Sequence, residues 1–221
     1  MAIAVKRRHL CIRRWLPLGK PRKVLNVGCG CLPLPGQPRG WRIFGLEVEK
    51  KPHERLVLYD GRTFPLHDAA FDLVLCLDVL EHVQDDGPML AEIARVLRPG
   101  GALVLTTPAI DHDFKKLMMP LKSKKKDWGQ AEAEWGHVRP GYRVGDLVLK
   151  CQQSGLDVIG VEKYGATIAE ALYQLWYLGN LSWLFSWKLV LPRILMELLL
   201  RADQLLSRNR GCAIALKAMR R

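Results

Sequence analysis

The constraint that most narrows the fold is a set of short apolar runs, several of them closed by glycine or an acidic residue. Lys23-Val24-Leu25-Asn26-Val27 runs into Gly28-Cys29-Gly30, and Arg42-Ile43-Phe44-Gly45-Leu46 runs into Glu47. Arg55-Leu56-Val57-Leu58-Tyr59 ends at Asp60-Gly61, and Phe71 to Leu77 ends at Asp78. Ala102 to Thr107, Leu156 to Val161 and Cys212 to Ala218 complete the set. Runs of this length between turn residues read as strands. They are continuously apolar rather than alternating, so both faces of each must be covered. From Pro88 to Leu97, the residues Leu90, Ile93 and Leu97 share one helix face. Asp85 or Asp86 is its expected cap and Pro99-Gly100-Gly101 its expected stop. A second helix is expected over 145–153. This alternation predicts an α/β fold: a doubly wound, mostly parallel sheet of seven strands.

Composition narrows the function classes. The 221 residues suffice for one domain with a single core. Hydrophobic residues make up 49% and charged residues 25%, which excludes a disordered chain. A net charge of +12 favours an anionic partner: nucleic acid, an acidic membrane face or a phosphorylated substrate. A solvated basic surface is the plainer alternative. The cysteines at 11, 29, 31, 76, 151 and 212 lack Cys-x-x-Cys spacing, and a reduced, cytosolic chain is expected. The opening MAIAVKRRHLCIRRW has no uninterrupted apolar run, so a cleaved signal peptide is not expected.

Three strand ends carry the chemistry. Glycines at 28 and 30 let the backbone turn tightly and approach a ligand closely. Glu47 follows Gly28 by 19 residues and stands at the tip of the second strand, where a carboxylate can accept both hydrogen bonds of a ribose diol. Asp60-Gly61 closes the third strand, where a carboxylate can accept from an adenine amino group. These groups converge on the crevice where open α/β sheets bind ligands.

The stretch from Val24 to Pro108 resembles class I S-adenosylmethionine-dependent methyltransferases, in particular the type 11 and ubiquinone/menaquinone-biosynthesis enzymes. The matching pieces are Val24-Leu25-Asn26-Val27-Gly28-Cys29-Gly30, Asp60 with Phe64-Pro65-Leu66, and Phe71-Asp72-Leu73-Val74. They continue with Asp78-Val79-Leu80-Glu81-His82-Val83 and Arg95-Val96-Leu97-Arg98-Pro99-Gly100-Gly101. His137-Val138-Arg139-Pro140-Gly141-Tyr142, followed by Gly155-Leu156-Asp157-Val158, is similar to the family's later region. The resemblance implies S-adenosylmethionine as cofactor. It implies that Gly28 and Gly30 line the methionine part, Glu47 holds the ribose, and Asp60 and Gly61 face the adenine. The backbone at Cys76 and Leu77 would run beside the sulfonium.

The chain departs from the family at Asn26, where Asp or Glu is usual, and at Leu32, where a third glycine is usual. Pro33, Pro35 and Pro38 disfavour the usual first helix. Asn26 removes a charge-assisted acceptor for the cofactor's ammonium group, worth about 1.5–3 kcal/mol, for which Asp78 is the candidate replacement. Methyl transfer to oxygen or nitrogen needs a positioned nucleophile, often with a base. His82 and His137 are the candidate catalytic residues; a structural, hydrogen-bonded histidine is the alternative for each. No metal-ligand cluster stands out, so no metal is expected.

The chain divides into a basic arm (1–22), a methyltransferase core (23–162 and 211–221) and an apolar, helical insertion (163–210). The insertion carries Trp176, Trp183 and Trp187 but no clean span of about 20 apolar residues, so a transmembrane helix is not expected. Tryptophan beside Lys and Arg suits a membrane interface. With the basic stretches 6–23 and 115–126, this predicts peripheral contact with an anionic membrane and a lipid-like or amphiphilic acceptor. A helical layer or dimer interface is the alternative for the insertion. A soluble small-molecule methyltransferase, a non-catalytic relative and a nucleic-acid binder are the alternatives for the chain. The last is disfavoured, because the lysines at 115–126 interleave with Met and Leu rather than stacking aromatics.

Overall fold

The structure is a computed structural model and describes residues 15–16, 22–29, 40–50, 55–111, 136–164 and 211–221. In chain order the elements are β1 (Lys23–Val27), β2 (Arg42–Glu47), β3 (Leu56–Leu58), β4 (Phe71–Leu77) and a 3-10 turn (Leu80–His82). They continue with α1 (Asp86–Val96), β5 (Leu97–Pro108), α2 (Val144–Gln153), β6 (Leu156–Tyr164) and β7 (Ala213–Arg220). The expected strands pair into one seven-stranded sheet, ordered β3-β2-β1-β4-β5-β7-β6. The ladders joining β1 to β5 are parallel, and β7 is inserted antiparallel between β5 and β6.

The continuous apolar runs are explained by two packed layers. Leu25, Val27, Val74 and Cys76 meet Met89, Leu90 and Ile93 of α1, and Leu147 and Cys151 of α2, on one face. Val24, Ile43, Leu73, Leu75 and Val104 meet Trp41, Trp15 and Leu16 on the other. Successive strand residues point to opposite faces, so each strand feeds both layers. Leu90 is fully buried, and truncating such a side chain to alanine costs about 2–5 kcal/mol.

Two expectations are corrected at α1. The helix begins at Asp86, and Asp85 in the cap position makes no side-chain capping bond. Asp86 is not a cap either: it lies in the first turn, 5% exposed, and pairs with distant cations. The helix ends at Val96, before Pro99-Gly100-Gly101, and β5 begins at once with Leu97 at φ −70, ψ 143. A residue before proline is pushed out of the helical region, so Arg98 cannot continue the helix. Gly30, the stretch 115–126 and nearly all of 163–210, including Trp176, Trp183 and Trp187, lie outside the described residues.

Candidate active site

The strand order reverses between β1 and β4: β2 and β3 lie to one side, β4 and β5 to the other. Such a switch point opens a crevice at the carboxyl ends of the strands. The registers pair Leu46 with Val27 and Val27 with Cys76, so one residue further Glu47, Gly28 and Leu77 stand side by side. The Gly28 N–H donates to the Leu46 carbonyl at 2.9 Å. Gly28 has φ +60, and a Cβ there would come within 2.5 Å of Val79 Cγ2. Glycine is therefore required twice over, by backbone conformation and by the close approach of the segment after β4.

Glu47 and Asp60 sit at adjacent strand ends, since Glu47 is in register with Leu58. Tyr59 lies between them with its phenol pushed up to about 12, by burial first and then by the nearby Cys76, Glu47 and Asp60. Asp60 Oδ1 accepts the backbone N–H groups of Arg62 (2.8 Å) and Thr63 (3.0 Å). Those bonds, Thr63's foremost, hold its carboxyl below the usual range. The space over Gly61 is open apart from Val48, whose side chain is 57% exposed.

On the other side of the switch point, Asp78 adopts φ 55. Its N–H donates to the Thr106 carbonyl at 2.9 Å, and the Thr106 hydroxyl donates to its Oδ1 at 2.7 Å. Asparagine and aspartate tolerate this left-handed conformation better than other side chains. Asn26 is 3% exposed and lies inside the sheet on the Val24 face, two residues short of Gly28. Cys76 is fully buried in the helix-side layer, and burial raises its thiol far above the ordinary value. Its side chain is core; only its backbone lies beside the crevice.

The two candidate histidines, distant in sequence, meet. Their rings are 4.7 Å apart, edge to face. Nδ1 of His82 is 3.1 Å from the Gly136 carbonyl. A carbonyl only accepts, so Nδ1 carries a proton there and the neutral ring keeps its lone pair on Nε2. The Val138 N–H donates to the Glu81 carbonyl at 2.9 Å, tying the same two segments together. Glu81, 1% exposed, accepts from the Thr107 hydroxyl at 3.0 Å. One donor atom from each of Glu81, His82 and His137 lies within 4.8 Å of the other two.

A second cluster, missed in the sequence, supports this pair. Arg139 donates to the carbonyls of Val83 (2.7 Å) and Gln84 (2.6 Å), to the Asp86 carboxylate and to the Tyr142 hydroxyl (2.7 Å). Lys150 donates to Asp86 Oδ1 at 2.8 Å, and the Tyr142 hydroxyl donates to Oδ2 at 2.7 Å. Burial opposes ionisation of Asp86, but Lys150, Tyr142 and Arg139 outweigh it and hold the carboxyl below its ordinary range. Burial, and then the bond to Asp86, raise the Tyr142 phenol. Arg139 and Tyr142 stood in a quoted motif, but nothing in the sequence pairs them with Asp86.

The Methyltransf_11 model, a methyltransferase domain, matches residues 25–105, which span β1 to β5. The chain is 27% identical over 175 residues to the ubiquinone biosynthesis O-methyltransferase of Aromatoleum aromaticum, covering 72% of this chain and 73% of that one. It is 32% identical over 113 residues to the protein of the same name from Thiobacillus denitrificans, spanning 42% of itself and 49% of that relative. The phosphoethanolamine N-methyltransferase 2 of Haemonchus contortus, solved with S-adenosyl-L-methionine, shares the fold. Its TM-score is 0.61 at 14% identity, covering 97% of this chain and 52% of that one. Residues 25–105 therefore match a methyltransferase domain, on the fold of a solved S-adenosylmethionine-bound methyltransferase. The ligand of that neighbour, S-adenosylmethionine, is the cofactor that the sequence resemblance implies for this chain. The residues of this chain fit that group: carboxylates at two adjacent strand ends, a glycine turn beside them at the switch point, and open space over Gly61.

Proposed function

We propose that this methyltransferase transfers a methyl group to an oxygen of an amphiphilic acceptor at a membrane surface. The observation that carries the oxygen assignment is the His82–His137 pair, 4.7 Å apart beside the end of β4. A hydroxyl acceptor must lose a proton, and a neutral imidazole with its lone pair on Nε2 can take it. Relatives that bear the name O-methyltransferase support the same choice.

S-adenosylmethionine, when bound, supplies an electrophilic methyl group on a sulfonium. The chain's part is to bind, orient and deprotonate. In this reading Glu47 accepts from the ribose diol, and Asp60 with Gly61 faces the adenine. Gly28 lines the methionine portion. The backbone of Cys76 and Leu77 passes beside the sulfonium. Asn26 is neutral, so the carboxylate of Asp78 is the anionic partner assigned to the ammonium group.

The membrane half of the proposal rests on composition: the tryptophans and leucines of 163–210 and the basic stretches 6–23 and 115–126. Among the described residues no helix is long and apolar enough to cross a membrane, and peripheral contact needs none. The test is labelling of fractionated cell extract with radiolabelled cofactor. Methylated product in the lipid fraction is the expected result. Label confined to aqueous small molecules overturns the membrane half, and absence of heat on titrating S-adenosylmethionine into the protein overturns the whole.

A further inference from the structure

The two ends of the sheet carry opposite charge. Glu47, Asp60 and Asp78 stand at or just beyond the carboxyl ends of β2, β3 and β4, beside the crevice. At the amino ends the registers assemble a row of cations. Lys23 pairs with Arg42, and the Arg42 N–H donates to the Arg22 carbonyl at 2.8 Å. Val24 pairs with Leu73, so Asp72 lies beside Lys23; it accepts the Lys23 N–H at 2.8 Å and Arg98 at 2.7 Å. Ala102 pairs with Met219 and Leu156 with Arg220, which brings Arg220 beside the Arg98–Gly101 stretch. Arg221 follows, 2.7 Å from Asp157. The side chains of Arg98 and Arg221 stay 52% and 60% exposed in these pairs. Exposed pairs are loose, so both guanidiniums can be shared with an oxyanion from outside. A Cβ on Gly100, at φ +73, would meet nothing within 4 Å, so a ligand can approach the main chain there. Arg22 Nε and Trp41 Nε1 are buried donors without an acceptor, so this end of β1 and β2 has more donors than acceptors.

We propose that this edge binds the phosphate backbone of double-stranded nucleic acid, without sequence preference, while the crevice stays free. The row crosses β2, β1, β4, β5 and β7, about 19 Å at strand spacing, a length over which a duplex presents several phosphates. A guanidinium matches a phosphate with two parallel bonds, and arginines dominate the row. Single strands need stacking rings. Here the rings of Phe71 and Phe44 lie under the Lys23 ammonium, at 5.0 and 5.4 Å, and Trp41 is buried. A protein partner needs an apolar anchor at the centre of the interface, and among the described residues the row offers only Met219, 37% exposed. A lipid leaflet bound here would lie about 20 Å from the crevice, the length of β4, and out of reach of the histidine pair. The cations come from positions scattered between 22 and 221, so no basic run in the sequence marks the edge.

The experiment follows the anisotropy of labelled RNA and DNA duplexes of about 20 base pairs across a salt series. Both duplexes should bind wild type within about threefold of each other, with log affinity falling linearly in log salt. Arg42→Gln with Arg98→Gln should weaken binding by about tenfold or more at low salt and make the salt slope shallower by about two. Arg62→Gln with Arg143→Gln removes the same charge at the crevice end and should stay within about threefold of wild type. An unchanged thermal melt shows that each variant is folded; Arg42→Gln with Arg221→Gln replaces the edge pair if it is not. Saturating duplex should leave S-adenosylmethionine affinity unchanged. Wild type that binds no duplex, equal losses in the two paired variants, or displacement of S-adenosylmethionine by duplex each overturns the edge. A glutamate-rich peptide, or anionic vesicles, binding more tightly than either duplex with the same dependence on Arg42 and Arg98 overturns the nucleic-acid partner. A protein that binds S-adenosylmethionine but no duplex loses this surface and keeps its methyltransferase reading.

Discussion

The guanidinium of Arg139 and the carboxylate of Asp86 are ion-paired across the gap between the loop carrying His137 and the first turn of α1. Arg139 also caps the carbonyls of Val83 and Gln84, which directly follow His82. Arg139 thus ties the two histidine-bearing segments together, beside the Val138–Glu81 and His82–Gly136 bonds.

The first prediction concerns stability and its pH dependence. Asp86 is nearly buried, and Arg139, Lys150 and Tyr142 all donate to its carboxylate. Asp86→Asn should destabilise the fold at neutral pH by about 3 kcal/mol, since removing one partner of a buried pair leaves the others uncompensated. The carboxyl titrates below its ordinary value of 3.8 in the folded chain. A depressed carboxyl contributes stability that is fully present above the unfolded value and is lost as pH falls through the folded one. The wild-type advantage over the variant should hold from neutral pH down to about pH 4 and shrink below it. Denaturant melts of both proteins across that range provide the measurement. An advantage that stays constant to pH 2.5 contradicts the assignment.

A second prediction separates chemistry from positioning. His137→Ala or His82→Ala should lower turnover by on the order of 10²-fold or more, with S-adenosylmethionine affinity nearly unchanged. Arg139 donates to Val83, Gln84, Asp86 and Tyr142, so Arg139→Ala acts through the placement of His137. Its turnover should fall by about tenfold or more. Arg139→Lys should recover only part, because an ammonium cannot bridge two carbonyls and a carboxylate as a guanidinium does. The pH profile of turnover should shift in Arg139→Ala. Full turnover in both histidine variants would show that the chemistry uses another residue or proximity alone.

How much of this was legible in the sequence follows from how local each signal is. The strands were readable because a strand buried on both faces writes its position as an unbroken apolar run, and β1 and β4 match the expected bounds. Glu47 and Gly28 were readable because strand ends in a parallel sheet align on one edge. The role of Asp86 was not: an acid before an apolar-periodic helix has the local signature of a cap. Its partners Arg139 and Lys150 come from the far side of the α1–β5 unit. The histidine pair was half legible. Each ring was singled out from its motif, but their contact depends on the Val138–Glu81 and His82–Gly136 bonds. Glu81 was quoted only as part of a motif, because its bond from Thr107 on β5 has no fixed sequence spacing.

The third prediction tests the cofactor's ribose. Glu47 ends β2 in register with Gly28, one strand from the switch point. If its carboxylate accepts both ribose hydroxyls, Glu47→Ala should weaken S-adenosylmethionine binding by more than about tenfold, and Glu47→Gln by less. Calorimetry gives the affinities. Unchanged affinity in Glu47→Ala would remove Glu47 from the binding site while leaving the fold assignment intact.

The last prediction concerns the segment rich in tryptophan and leucine. Trp176, Trp183 and Trp187 stand among Leu189, Leu191 and Leu195, and the chain carries a net charge of +12. Apolar burial at a membrane interface would supply the binding energy, and each Lys or Arg near an anionic leaflet would add about 1 kcal/mol. These two contributions respond differently to salt, since screening weakens the charge attraction and leaves apolar burial. Anionic vesicles should therefore pellet the protein, neutral vesicles less, and added salt should remove only part of the anionic binding. Trp183→Ser with Trp187→Ser should reduce pelleting from both vesicle types while S-adenosylmethionine affinity stays within about twofold, because no residue assigned to the cofactor is changed. If salt abolishes binding entirely and the double variant pellets like wild type, the contact is purely electrostatic. The tryptophans then belong to a protein core or an interface between copies of the chain. If no vesicle pellets the protein, the acceptor is to be sought among water-soluble molecules, with the histidine pair and the cofactor crevice unaffected.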